Sequence, residues 1–236
     1  MKQALQIGNR ECVLYQMPET SQPQQPPKAL MIQPMGAQER DGIDIEVDAI
    51  CALVEVPFAM AAFAIDNWEM ELTPWHDPAV SNRQEVGEHA IDTLGYITDS
   101  LIPSLKERYG ELPVVLGGYS LGGLFARWAV SWTDRFEAAA SVSPSLWICH
   151  WRGFSEARPV YAKHVYISLG DREEHSRNRA MATVGDNVRW EHEHLEQLLG
   201  PQHTMLEWNR GGHFADVPQR TAKGFAWCLK QVAEGR

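Results

Sequence analysis

Only four cysteines occur in the 236 residues, Cys12, Cys51, Cys149 and Cys228, and no two of them stand in C-x-x-C spacing. That scatter argues against a disulfide framework and against a zinc knuckle, and it predicts free thiols, buried for the most part. Long apolar runs are missing too. No segment reaches eighteen uninterrupted apolar residues, and the opening MKQALQIGNRECVLYQM lacks the apolar core and small-residue cleavage site of a secretory signal. The expectation is a soluble, cytoplasmic protein with no membrane partner. Positive charge is short: 21 Lys and Arg face 31 Asp and Glu, a formal net charge of −10, with both signs mixed along the chain. A nucleic-acid groove or an anionic membrane surface is a poor partner for such a chain, and a small-molecule or uncharged substrate fits better. His192 and His194 stand two apart on a predicted helix and face different directions, so they make a poor metal pair. No metal and no cofactor are expected.

The length suits one α/β domain spanning residues 1–236. Residues 3–17 alternate around Gly8-Asn9 and predict an antiparallel hairpin. PETSQPQQPPK (18–28) is polar and proline-rich, and so predicts an extended surface connection. From Ala29 onward, short apolar runs alternate with helix-period segments, which predicts a mostly parallel sheet with helices on both faces. The predicted strands are ALMIQPM, FAMAAFAI, PVVLGG, EAAASVS, HVYISLG and HTMLEWN. Helices are predicted over Ile43 to Val54, from a capping signal at Asn82 and Glu85 through Val86, Ala90, Leu94, Ile97 and Leu101, over LFARWAVSW, over about 178–199, and over about 220–232. Pro103 is expected to kink or end the second of these.

The stretch VVLGGYSLGG puts four glycines around one serine straight after an apolar run, and three readings compete for it. A phosphate-binding P-loop needs a lysine followed by Ser or Thr after its last glycine, and Leu124-Phe125 stands there instead. A dinucleotide fingerprint needs glycine where Ser120 sits, and it stays open only as the lesser alternative. The third reading is G-x-S-x-G, written Gly118-Tyr119-Ser120-Leu121-Gly122, a sharp strand-to-helix turn that presents a nucleophilic serine. The bare string should arise by composition in roughly one chain of this length in ten. Its placement carries the weight, because an apolar strand ends at the first glycine and a helix pattern begins at the last. Gly118 and Gly122 answer the steric demand of the turn, and Gly123 would bring the helix close to the sheet.

Serine needs a base oriented by an acid. His213 follows the last predicted strand, in RGGHF, where two glycines free the backbone to aim the ring. The acid is expected after HVYISLG, with Glu173 first, Asp171 second, and Glu174 and Asp186 behind them. An oxyanion hole needs backbone N–H groups. Leu121 would supply one from the helix N-terminus, and Met35 the other, with Gly36 and Ala37 close behind it.

With these residues the chain resembles the esterase branch of the α/β-hydrolase superfamily that holds siderophore esterases, esterase D-type enzymes and mycolyltransferase-like proteins. The matching stretches are GYSLGG, FEAAASVSPSLW, the Gly170-x-x-Glu173 turn and Gly212-His213. The resemblance covers most of the chain from Ala29, and it implies an α/β-hydrolase fold with the order nucleophile, acid, histidine, carried by Ser120, Glu173 and His213. The His-Gly or Asp-Gly pair usual after the oxyanion strand is replaced by Gln33-Pro-Met-Gly36. Only about twenty residues separate SPS from the next strand, which implies a minimal lid and an open pocket.

Trp68, Trp75 and Trp147 all follow strands on the edge that carries the serine, and they are expected to form an aromatic pocket for the acyl or alcohol group. His76 and Asp77 are candidates to meet a polar leaving group, and Arg127, Arg152 and Arg172 to form a basic rim. The expected activity is hydrolysis of small-molecule carboxylic esters through an acyl-enzyme. The alternatives are an acyltransferase built on the same three residues, or a catalytically inactive hydrolase fold used for binding.

Overall fold

The computed structural model describes residues 2–16, 26–37, 40–81 and 87–234. Among these, eight strands make one sheet in the order β1-β2-β4-β3-β5-β6-β7-β8. They are β1 (Lys2–Ile7), β2 (Arg10–Gln16), β3 (Ala29–Met35), β4 (Phe58–Ala64), β5 (Val114–Tyr119), β6 (Ala138–Val142), β7 (His164–Gly170) and β8 (Thr204–Asn209). The hairpin β1–β2 turns at Gly8-Asn9, and β2 joins β4 antiparallel, whereas all pairs from β4 through β8 are parallel. Most of the 18–28 connection lies outside the described residues.

Parallel strands are covered on both faces and therefore read as continuous apolar runs. β3, β5, β6 and β7 are buried at every position, whereas β1 at the sheet edge is mostly exposed. The two-residue period divides neighbouring side chains between two cores. Leu30, Ile32 and Leu116 enter the core roofed by α3 (Ala90–Tyr96), α5 (Leu121–Ala129) and α7 (Val184–Leu199). Met31, Val115 and Tyr166 enter the opposite core, beneath α1 (Ile43–Leu53) and α8 (Val217–Glu234). Among the described residues no helix is long and apolar enough to cross a membrane.

One departure from the predicted elements has a clear cause. Asn82, Glu85 and Val86 lie outside the described residues, and among the described residues helix begins at Ala90, after Gly87 and Glu88 with φ of 105° and 73°. Of the two outcomes expected at Pro103, a kink or an end, the helix does not end: it runs through a π-helical turn (Ile97–Leu101) into α4 (Ile102–Tyr109). Proline has no N–H and its ring crowds the carbonyl four residues back, so a widened turn just before it lets the chain stay helical. Two short helices were not foreseen: α2 (Trp68–Leu72), capped by the Asn67 side chain accepting the Met70 N–H, and α6 (Trp151–Ala157) between β6 and β7.

Candidate active site

β5 delivers Ser120 to the carboxyl edge of the sheet, and α5 starts at the next residue. Ser120 has φ 59° and ψ −117°, a region L-residues avoid at a cost of about 1–3 kcal/mol. The surroundings hold it there: its N–H donates to Val142 O at 3.0 Å, and its carbonyl accepts from Leu124 and Ser145. The flanking glycines make the turn possible by close approach. A Cβ on Gly118 would stand 2.8 Å from the Gly122 carbonyl carbon, and one on Gly123 would stand 2.7 Å from Val142 O. Backbone lies on both sides of each contact and cannot swing away. Gly118→Ala is therefore expected to destabilise the fold by about 3 kcal/mol or more, read as a lowered urea midpoint.

His213 follows β8 in a loop held by several hydrogen bonds, two of which bear directly on its backbone at and before the ring. Tyr119 Oη donates to His213 O at 2.5 Å, and Asp171 accepts the Gly211 N–H at 2.8 Å. The imidazole Nε2 lies 3.0 Å from Ser120 Oγ, and Nδ1 lies 2.7 Å from Glu173 Oε2. Glu173 opens a 3₁₀ turn after β7, and its other oxygen, Oε1, accepts from Gly170 N (2.7 Å), Ser143 Oγ (2.8 Å) and Arg220 Nη2 (2.7 Å). Burial pushes this carboxyl up, but hydrogen bonds from His213 and Arg220, with the charge of a protonated His213, outweigh it and bring it down to about 2. Of the four acids considered, the structure brings only Glu173 to the ring. Asp171 holds the histidine loop instead, and Glu174 and Asp186 pair with Arg189.

Ser120, Leu121, Glu173 and His213 face a cavity of about 1070 Å³. Trp68 and Trp147 line it, and Phe214, 90% exposed, stands at its mouth beside His213. Trp75 does not line it. Its Nε1 donates to Cys149 O, and its ring packs on Trp151 and Phe154 of α6. Nor does Met35 reach the cavity: it is buried in the core beneath α1 and α8, while the next two residues, Gly36 and Ala37, line the wall. His76 and Asp77 also fall outside it, Asp77 being buried and accepting the N–H groups of Cys149 and Ala79.

Only one of the three arginines expected at a rim is there. Arg172 lines the cavity, Arg152 donates to Asn187 and stacks on Trp190, and Arg127 is wholly buried against Glu191. Sequence reasoning missed Ser143 and Arg220 altogether. Ser143 lies within the quoted SVSPSLW phrase, which drew attention to the stretch but not to the side chain. For Arg220 no sequence signal existed, since a single arginine early in a helix is ordinary.

Several solved structures resemble the chain. An IroE-like serine hydrolase from Shewanella oneidensis superposes with a TM-score of 0.75 at 20% identity, over 98% of this chain and 80% of that one. The siderophore hydrolase EstA from Aspergillus nidulans gives 0.75 at 16%, over 98% and 95%, and EstB from the same organism gives 0.71 at 15%, over 96% and 92%. No family model and no curated protein matches the sequence. At such identities the likeness speaks for the fold, which is an α/β-hydrolase fold with an antiparallel hairpin at one edge.

Proposed function

We propose that the chain is a serine hydrolase that cleaves carboxylic esters of small molecules through an acyl-enzyme. The observation that carries this reading is the continuous relay from Ser120 Oγ through His213 to Glu173, 3.0 and 2.7 Å long, at the edge of an open cavity. Ser120 attacks the acyl carbon while His213 Nε2 takes its proton. Glu173 Oε2 holds the ring in the tautomer that presents Nε2 to the serine and stabilises the imidazolium that forms. The developing oxyanion lies against the Leu121 N–H at the start of α5, where the helix dipole adds to the attraction, and against the N–H of Gly36 or Ala37, which line the cavity wall. His213 then returns the proton to the leaving alcohol and activates a water for deacylation.

The His213 side chain is 32% exposed, so solvent reaches the place where an acyl-enzyme would stand. Trp68 and Trp147 supply flat apolar walls for an acyl or alcohol group. Arg172 and His175 on one side of the cavity and Asp66 and Glu69 on the other give it no single sign of charge. Siderophores, named for two of the solved neighbours, enter a substrate panel beside simple esters on the strength of that likeness. The same reading takes residues 1–236 as one domain, since β1 and α8, at opposite ends of the described chain, both belong to or pack on one sheet.

The test is labelling by a fluorophosphonate, which needs an activated serine but no knowledge of the natural substrate. Labelling at Ser120 that disappears in a folded His213→Ala variant is the expected result. Folded wild type that is neither labelled nor able to turn over a short-chain p-nitrophenyl ester would remove the proposal.

A further inference from the structure

We propose that Arg220 is a positioning residue of this site: its guanidinium clamps Glu173 and the His213 loop together, and its charge moderates the pull of the carboxylate on the imidazole. The inference rests on the reading of Ser120, His213 and Glu173 given above.

Arg220 lies in the first turn of α8 and is 2% exposed. Its Nη2 donates to Glu173 Oε1 at 2.7 Å and also to Ser143 Oγ. Nη1 donates to the carbonyls of Gly212 and Ala215, at 3.1 and 3.4 Å, which flank His213 in the chain. One planar group thus meets the acid and both shoulders of the loop that carries the base. Only a guanidinium has this fork of donors in fixed directions, and an ammonium would satisfy the same acceptors one or two at a time. The ring of Tyr119, whose hydroxyl holds His213 O, lies 5.4 Å from the guanidinium carbon and completes the clamp.

The charge has its own effect. A buried carboxylate with a single cationic partner would hold a proton on that partner strongly, and a base held protonated cannot accept from serine. Arg220 sits on the far oxygen and offsets part of the negative charge, while leaving Oε2 to the imidazole. Other titratable or charged groups lie around the same cavity. On the near side are Tyr119 from β5, whose hydroxyl bonds His213 O, and, after β7, Arg172 and His175, while Asp171 holds the loop at Gly211. On the opposite wall are Glu46, Asp66 and Glu69. None of these changes when Arg220 is replaced, so a comparison of variants isolates the guanidinium.

The experiment follows His213 by long-range proton–nitrogen NMR correlation of its imidazole, with His213→Asn assigning the signal, and measures the fluorophosphonate labelling rate over the same pH range. In Arg220→Gln the titration midpoint of His213 is expected to rise by about one pH unit, as for loss of a nearby like charge. Labelling well below that midpoint should slow by about tenfold, because the fraction of neutral imidazole falls with it. A purely structural arginine would lower the melting temperature and leave the midpoint where it is, and an unchanged or lowered midpoint overturns the proposal.

Should Arg220→Gln fail to fold, Glu173→Gln is compared with Glu173→Gln/Arg220→Gln, where no buried carboxylate is left without its partner. The midpoint is expected to be higher in the double variant, and equal midpoints overturn the proposal. NMR needs no activity. Unlabelled wild type would therefore remove the serine-hydrolase reading, while the midpoints would still decide the effect of Arg220 on the ring.

Discussion

Ser120→Ala is expected to fold as the wild type does and to lose about 10⁴-fold or more of its ester-hydrolysing kcat. The two halves of that expectation have separate grounds. Among the described residues the hydroxyl bonds the His213 ring and, at 3.5 Å, the Ser145 hydroxyl, so removing it strands no buried donor there. The turn itself is held by backbone bonds to Val142, Leu124 and Ser145, which alanine keeps. Alanine at φ 59° bears the same strain as serine, so unfolding free energy should stay within about 0.5 kcal/mol. The rate has no such substitute. Without Oγ there is no acyl-enzyme, and what survives is water attack helped by the oxyanion donors and by binding, several kcal/mol poorer at the transition state. Steady-state kinetics with a p-nitrophenyl ester, run beside thermal melts, measure both halves. Turnover within tenfold of wild type would mean that the nucleophile lies elsewhere.

The readable parts of this site were those fixed by local sequence. β3, β5 and β7 declare themselves as largely apolar runs closed by Gly or Pro, because a strand covered on both faces favours apolar side chains, with Gln33, His164 and Ser168 as buried polar exceptions. In a parallel sheet the residues just after such strands share one edge, so Ser120, Glu173 and His213 could be placed together from their order alone. Side-chain direction was not readable in the same way. Trp75 follows β4 much as Trp68 does, yet a short helix turns one toward the cavity, and α6 takes the other. Met35 and Gly36 are adjacent, and strand alternation sends the methionine into the opposite core.

Buried charge was the least legible feature, because it depends on partners remote in sequence. Arg220 meets Glu173 across 47 residues, and Arg127 meets Glu191 across 64. Both arginines look from the sequence like ordinary helix surface. α5 in fact has no exposed face, since it is packed between the sheet and the helices above it.

The second large effect comes from that concealed pair. Glu191→Ala is expected to destabilise the fold by about 3–5 kcal/mol, because it leaves a guanidinium buried without its counter-charge. Arg127 and Glu191 are both 0% exposed, with Arg127 Nε 2.6 Å from Glu191 Oε1. The same carboxylate accepts from Trp151 Nε1 at 2.8 Å and from Ser155 Oγ at 3.1 Å, so its loss strands donors on α6 as well as on α5. A loss of this size is a large share of the roughly 5–15 kcal/mol that holds a domain folded.

Charge and packing are separated by a second variant, Arg127→Met with Glu191→Leu, in which no ion is left buried. It should recover most of the loss and fall short of wild type by about 1–3 kcal/mol, for the Trp151 N–H left without an acceptor. Urea unfolding of the three proteins decides the matter, and Glu191→Ala within 1 kcal/mol of wild type would refute it. The consequence reaches the active site, because α5 begins at the residue after Ser120 and the carboxylate from α7 ties it to α6. Folded Glu191→Ala should therefore lose labelling at Ser120 by a larger factor than the Arg127→Met/Glu191→Leu protein, in which α5 keeps its seat.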